Sequence, residues 1–244
     1  MTSAPMLCLL AAVSLLASAL RAQTPVVPRP AIVVSGFEPF GGRAENASWI
    51  LAGEIAKAFP HEVRALQIPV EWGAPLRAID SVKPLPDVWI AFGEGTREFQ
   101  IEILAHNQRG MFSDNQGAKP ASPDIVSAGA SVLKQRAQVV DLAAALTTAG
   151  FPTHVSQSAG RYLCEEMLYS LLHAQQQHPG ALRVVLFIHI PTLEQSVQVA
   201  APSTGVPAVQ RQVDSVWLQA FGKQLFASLR TLGLLTQAPM GKNR

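Results

Sequence analysis

The sequence predicts an α/β protein whose mostly parallel sheet is covered by helices on both faces. Short apolar runs alternate with helix-length segments, the pattern of repeated βα units. The strongest run, Val184–Ile188 (VVLFI), is apolar at every position, as a strand buried on both faces must be. Composition agrees: 48% of the 244 residues are hydrophobic and only 15% are charged, which excludes a disordered chain. The 17 Gly and 18 Pro show no period, so collagen-like and low-complexity classes are excluded too. Lys and Arg number 19 against 17 Asp and Glu, with no basic cluster, so no nucleic-acid surface is expected. Two cysteines are too few for a disulfide scaffold or a four-cysteine zinc site.

The N-terminus reads as a separate object. Met6–Leu20 is 15 residues without a charge. That is short of the ~20 residues of a membrane span but fits the apolar core of a secretory signal peptide. Small residues follow, and cleavage after Ala22 is expected. An uncleaved anchor or a misassigned start is the alternative, and without a signal the protein would be cytoplasmic. The predicted organisation is a signal peptide over 1–22, a Pro-rich linker over 23–30 and one α/β domain over 31–244. The mature protein is then exported, and no membrane association is expected after cleavage. Cleavage removes Cys8 and leaves Cys164 as the sole cysteine. A lone cysteine in an exported protein pairs between molecules, is kept free for its chemistry, or is a buried structural residue.

The elements follow in order. Ala31–Ser35 (AIVVS) is a buried strand ending at a glycine-rich loop, Gly36–Gly42. Ala47–Phe59 has helical spacing and stops at Pro60. Val63–Val70 is a second strand. Trp72–Val82 is a helix with Pro75 in its first turn. Asp87–Phe92 and Phe99–Ala105 are strands, and Gln108–Ser122 is loop. Val132–Ala149 is an Ala- and Leu-rich helix closed by Gly150. Thr153–Gln157 is a short strand. Arg161–Gln177 is a helix stopped by Pro179-Gly180. Leu182–Ile190 is a strand closed by Pro191, and Val206–Leu234 carries a long final helix. In such sheets ligands bind beyond the carboxyl ends of the strands. The places to look are Gly36–Gly42, Gly93–Arg97, Asn107 onward, Ser156–Cys164 and His189.

Three side chains there can do chemistry. Cys164 lies near the first turn of a helix, where exposed N–H groups bias a thiol towards the nucleophilic thiolate. Glu165 and Glu166 oppose that bias if they lie close, and Arg161 can offset them. A core cysteine packed with Met167 and Leu168 fits the same pattern, and the sequence alone does not separate the two. His189 ends the strongest strand and suits the proton-transferring partner that a cysteine nucleophile needs; a satisfied core histidine is the alternative. Glu102 sits in FQIEILAHN, where alternation sets it on the face opposite Ile101 and Ile103. A carboxylate on a buried strand needs a partner, and one that orients a histidine would supply it. On an exposed edge it would be an ordinary surface residue. The loop Gly36-Phe37-Glu38-Pro39-Phe40-Gly41-Gly42 has no phosphate-binding spacing. Its two phenylalanines can form an apolar slot or fold back into the core.

Taken together, these segments resemble the pyroglutamyl peptidase I family (pyrrolidone-carboxylate peptidases). The carrying motifs are GFEPFGG with Asn46-Ala47-Ser48-Trp49, Glu102-x-x-Ala105-x-Asn107, Ser156-Gln157-Ser158-Ala159-Gly160-x-Tyr162-x-Cys164, and Phe187-Ile188-His189-Ile190-Pro191. They keep the family's order from about Ala31 to Gln195. The resemblance implies a three-layer α/β/α sandwich and a cysteine peptidase with no metal and no cofactor. It makes Cys164 the nucleophile, His189 the general base and acid, and Glu102 the orienting acid. Phe37 and Phe40 flank a pyroglutamyl ring, with Asn46 nearby in the pocket; Glu94 stands where the family usually has a glutamine or apolar residue and is expected to narrow the pocket or hydrogen-bond a lactam N–H. The implied partner is a peptide with N-terminal pyroglutamate, and a homo-oligomer is left open. The chain departs from the family pattern in Gly93–Arg97 and beside the cysteine, where Arg161 and Glu165 stand. A divergent amidase for another small acyl group, or an inactive binding protein with the same fold, are the alternative functions.

Overall fold

The computed structural model describes residues 32–199 and 208–235, so the expected signal peptide and linker lie outside the described residues. The first half runs β1 (Ile32–Phe37), α1 (Ala47–Ala58), β2 (Val63–Ile68), α2 (Ala74–Ser81), β3 (Val88–Thr96), β4 (Phe99–Glu102), β5 (Leu104–His106) and β6 (Val132–Lys134). The second half runs α3 (Val139–Thr148), β7 (Thr153–Ser156), α4 (Leu163–Gln177), β8 (Val184–Pro191), β9 (Ser196–Val199), β10 (Val209–Gln212) and α5 (Ser215–Thr231). The central sheet has the order β2-β1-β3-β8-β4-β7. Strands β2, β1, β3 and β8 are mutually parallel, whereas β4 runs against β8 and carries β7 with it.

Strand alternation splits the core into two layers, one on each side of the sheet. Ile32, Val34, Ile90, Leu186 and Ile188 pack with Leu51 of α1, Leu142 of α3 and Phe221 of α5. Val33, Trp89, Val185 and Phe187 pack with Ile79 of α2 and Leu171 of α4. The result is the α/β/α sandwich. The parity of β8 then decides which face His189 occupies. Two steps beyond Phe187, it points to the side of α4.

Several boundaries differ from the sequence pattern; β3 runs on from the expected Phe92 to Thr96 because it keeps pairing with β8. The helix expected over Val132–Ala149 begins only at Val139. Before it, Val132 and Lys134 are exposed around buried Leu133, a strand alternation, and β6 pairs with β5. The strand expected over Phe99–Ala105 breaks at Ile103, where the chain leaves the central sheet for that β5–β6 ribbon. The long final helix starts at Ser215, because Asp214 caps it by accepting the Trp217 N–H at 2.7 Å. Part of the preceding stretch is strand β10, paired with β9.

Candidate active site

The carboxyl ends of β1, β3 and β8 meet the N-terminus of α4 around a cavity of about 190 Å³. Its lining includes Phe37, Phe40, Asn46, Val70, Glu94, Tyr162, Cys164 and His189. This is the rim that an α/β sheet predicts.

Cys164 is the second residue of α4, and its thiol is free and half-buried. The first N–H groups of a helix have no intrahelical acceptor. The cap residue here, Tyr162, makes no side-chain hydrogen bond to them, so the helix presents its positive end to the cavity. Fully buried Met167, Leu168 and Leu171 anchor α4 to the sheet. Both glutamates that follow the cysteine are buried. The Glu166 charge is neutralised by Arg109, whose Nη2 is 2.7 Å from Glu166 Oε1. Glu166 also accepts the Gly73 N–H at 3.1 Å.

Gly93 on β3 makes the close approach of these groups feasible. A Cβ there would lie 2.8 Å from Cys164 Sγ, 2.9 Å from Phe187 Cζ and 3.2 Å from His189 Cδ2. Thiol and imidazole share the space that any other residue would fill. Gly93→Ala is therefore expected to push Sγ and the ring apart. A displacement of that kind costs roughly 10²-fold in rate. Measuring kcat/KM together with the melting temperature separates this loss from simple unfolding, and an active Gly93→Ala would show that the approach is not needed.

His189 is bound on both sides. Register pairs Gln100 with His189 and Ile101 with Ile188. Glu102 therefore shares the face of His189, one diagonal step away. Its Oε1 lies 2.8 Å from His189 Nδ1. A carboxylate accepts, so Nδ1 donates, and Nε2 is left for the thiol side. Burial lowers the basicity of His189, but the charge and hydrogen bond of Cys164, and then those of Glu102, outweigh it and push the pKa up to about 10. An unperturbed histidine would titrate near 6.5. Phe187 packs edge-on against the ring at 5.0 Å.

The apolar wall comes from the last residue of β1 and the loop that follows it. Phe37 is nearly fully buried. Its N–H donates to Ser48 Oγ at 2.9 Å, which ties the strand end to α1. Gly36 makes that packing feasible, since a Cβ there would sit 2.3 Å from the Ser48 carbonyl. Asn46 lines the cavity, but its polar atoms are spent locally. Oδ1 accepts the Ser48 N–H at 2.9 Å, and Nδ2 donates to the Glu38 carbonyl at 3.0 Å. Asn46 is thus the cap of α1 and a brace for the loop. Glu94 is similarly engaged: Oε2 accepts the Ala47 N–H at 2.7 Å, and Oε1 pairs with Arg43. Burial pushes its pKa up, against those two partners. The Arg43 guanidinium lies 5.2 Å from the centroid of Phe40, so one cation steadies both an acid and an aromatic wall.

Cys164, His189, Glu102, Phe37, Phe40, Asn46 and Glu94 thus lie in one cluster. Sequence reasoning placed Gly93 and Tyr162 in segments at the site but gave them no role, and it did not single out Arg43 or Val70. A glycine in a strand interior signals a close approach, so Gly93 was legible in principle. Arg43 and Val70 carry no such signal.

Comparison with known proteins decides the family. The pyroglutamyl peptidase family model matches residues 30–220. The chain belongs to the pyroglutamyl peptidase family. Membership makes it a cysteine peptidase. Similar proteins include the pyrrolidone-carboxylate peptidase of Yersinia pestis (strain Pestoides F), 32% identical over 188 residues, which span 74% of this chain and 86% of that protein. The enzyme of Yersinia pseudotuberculosis serotype O:3 (strain YPIII) is 34% identical over 187 residues, 73% of this chain and 86% of that protein. Among solved structures, the pyroglutamyl peptidase I of Bacillus amyloliquefaciens superposes with a TM-score of 0.65 at 22% identity, covering 81% of this chain and 93% of that one. A mutant pyrrolidone carboxyl peptidase from Pyrococcus furiosus gives 0.64 at 26% identity, covering 84% and 99%. The family fold is the sandwich described above.

Proposed function

We propose that this chain is an exopeptidase that removes an N-terminal pyroglutamyl residue, with Cys164, His189 and Glu102 as its catalytic triad. One observation carries the reading: the Cys164–His189–Glu102 chain opens on a small cavity of about 190 Å³ with Phe37 and Phe40 in its wall. Drug-sized ligand sites run from about 300 Å³ upward, so this one suits a single small acyl group. A lactam ring is flat, neutral and apolar on its faces, which suits aromatic walls.

The chemistry follows from the residues. The Cys164 thiolate adds to the pyroglutamyl carbonyl carbon, and the charge that develops on oxygen meets the N–H groups of the α4 N-terminus. Protonated His189 gives its Nε2 proton to the amine nitrogen as the C–N bond breaks. A thioester remains on Cys164. Water then adds to it and passes a proton to His189, and the thiolate leaves with its electron pair. Glu102 holds the ring with Nε2 forward and stabilises the imidazolium. Glu94 acts on the wall through Ala47 and Arg43. The deciding experiment compares turnover of pyroglutamyl and prolyl reporter amides by purified protein. Preference for the pyroglutamyl amide is expected, and preference for the prolyl amide would make this a divergent amidase.

The slot supports a specific outcome. Burying an aromatic-sized contact is worth ~1.5–3 kcal/mol. Phe37→Ala and Phe40→Ala are each expected to lower kcat/KM for pyroglutamyl amides by roughly ten- to a hundredfold. The loss should be the same across leaving groups, because the slot holds the ring. Variants as active as the parent chain would put the ring elsewhere.

Export is part of the same reading and rests on the sequence alone. Residues 1–22 act as a signal peptide, residues 23–30 as a linker, and residues 31–244 as a single domain. Protein isolated from its native cell is expected to begin at Gln23 or within a few residues of it. N-terminal sequencing that finds Met1 in a cytosolic fraction would refute this.

A further inference from the structure

The triad leaves one buried acid beside it without a role. Glu165 follows Cys164 on α4 and is fully buried. Its Oε1 accepts the His106 N–H at the end of β5 and lies 3.6 Å from His106 Nδ1. Its Oε2 is buried with no hydrogen-bond partner. The same holds for Oε2 of Glu102, whose Oε1 is occupied by His189. Two carboxyl groups, each with an unpaired buried oxygen, thus lie within electrostatic reach of each other and of His189, although only Glu102 touches the ring.

The charges around Glu165 come from several elements. Glu102 on β4 repels its carboxylate, while His189 on β8 and Arg161 before α4 attract it. His106 on β5 contributes the backbone hydrogen bond. On α4 itself, Cys164 adjoins it and Glu166 is neutralised by Arg109. Burial is the largest influence and outweighs the favourable partners, so the Glu165 pKa rises to about 7. Neighbouring buried carboxyls do not both ionise readily, and one keeps its proton. Glu102 Oε1 meets the donating Nδ1 of His189, whereas Glu165 meets only a backbone N–H, so Glu165 is the carboxyl that takes up the proton.

We propose that Glu165 is a positioning residue that carries a proton in the active enzyme, and that losing this proton restrains the histidine. The inference rests on the triad reading above. With Glu165 neutral, one carboxylate backs His189, and the imidazolium can hand its proton to the leaving amine. With Glu165 ionised, a second buried negative charge holds that proton on the ring, and the acylation step slows. The sign is set by charge: hydrolysis falls as pH rises through the Glu165 transition, well before His189 itself deprotonates.

The test is the pH dependence of kcat/KM on a pyroglutamyl reporter amide, for the wild-type chain and for Glu165→Gln. Wild type is expected to lose roughly three- to tenfold between pH 6 and 8, and to fall again near the His189 transition at about 10. In Glu165→Gln, the first fall should vanish, because the amide keeps the shape but cannot ionise. A purely structural role would lower activity at every pH and leave the profile unmoved. Superimposable profiles overturn the proposal. Difference infrared spectra of wild type supply an arm that needs neither substrate nor a foldable Glu165 variant. A buried protonated-carboxyl band should titrate near pH 7 and persist in Glu94→Gln. Its absence also overturns the proposal. If the reporter amide is not cleaved at all, the proposed function fails, and the infrared titration still decides the state of Glu165.

Discussion

Replacing Cys164 with alanine abolishes hydrolysis while the protein stays folded. The thiol is the nucleophile in the proposed mechanism, and no other cysteine is present among the described residues. Losing Sγ removes only edge packing, because the half-buried side chain lies between the core and the cavity while α4 is held by Met167, Leu168 and Leu171. Circular dichroism and the melting temperature are expected to stay close to wild type, with no turnover above background. Alkylation of the parent protein should track its loss of activity mole for mole, read on the peptide that carries Cys164. An active Cys164→Ala would end the covalent mechanism. The same variant carries a second signal. Cys164 is the largest influence raising the His189 pKa, so its removal should move the imidazole titration, followed by NMR, down from about 10.

Replacing His189 with alanine lowers kcat/KM by ~10²-fold or more, since general acid–base catalysis is worth 10²–10⁴-fold. Both proton transfers in the proposed cycle pass through Nε2, and among the described residues His189 is the imidazole that lines the cavity. His106 lies outside the cavity lining and is turned towards Glu165. Turnover retained at the wild-type rate in His189→Ala would exclude the ring as the proton carrier. The pH sign follows from the raised pKa. The proton is held more tightly in the folded chain than in the unfolded one. The stability it contributes is fully present below pH 6.5 and is lost as pH rises through about 10. The melting temperature of wild type should therefore fall across that window, and the His189→Ala variant should lack that component.

Much of the site was legible in the chain. Residues at the ends of apolar strands reach the rim of an α/β sheet, which singled out His189 and the loop after β1. A thiol at a helix start is chemically distinctive, which singled out Cys164. The errors fell where tertiary pairing overrode local pattern. Val132–Lys134 has the residues of a helix edge, yet it becomes a strand because β5 offers it backbone partners. The start of the last helix is a local matter instead, since Asp214 is a cap signal present in the sequence itself.

Electrostatics divided the same way. The sequence named Glu165 and Glu166 as two charges that could oppose the thiolate. The fold handles them differently: Arg109, 57 residues from Glu166 along the chain, neutralises that acid, while Glu165 is buried without a cation in hydrogen-bonding contact. Likewise the pocket residues Asn46 and Glu94 sit at the cavity, but their polar atoms serve the α1 N-terminus.

The sequence by itself determined the alternation of strands and helices, the sheet's two buried faces and the residue types at its rim. These are local properties, written in hydrophobic period and in turn residues. Only the tertiary structure decided that Glu102 meets His189, since the two are 87 residues apart and meet only because β4 runs antiparallel to β8. It also decided that Gly93 leaves room for Sγ beside the imidazole, and that one of two adjacent glutamates is neutralised while the other is not. Distances and burial depend on which strands become neighbours, and strand order is a property of the whole packed sheet that no local pattern encodes.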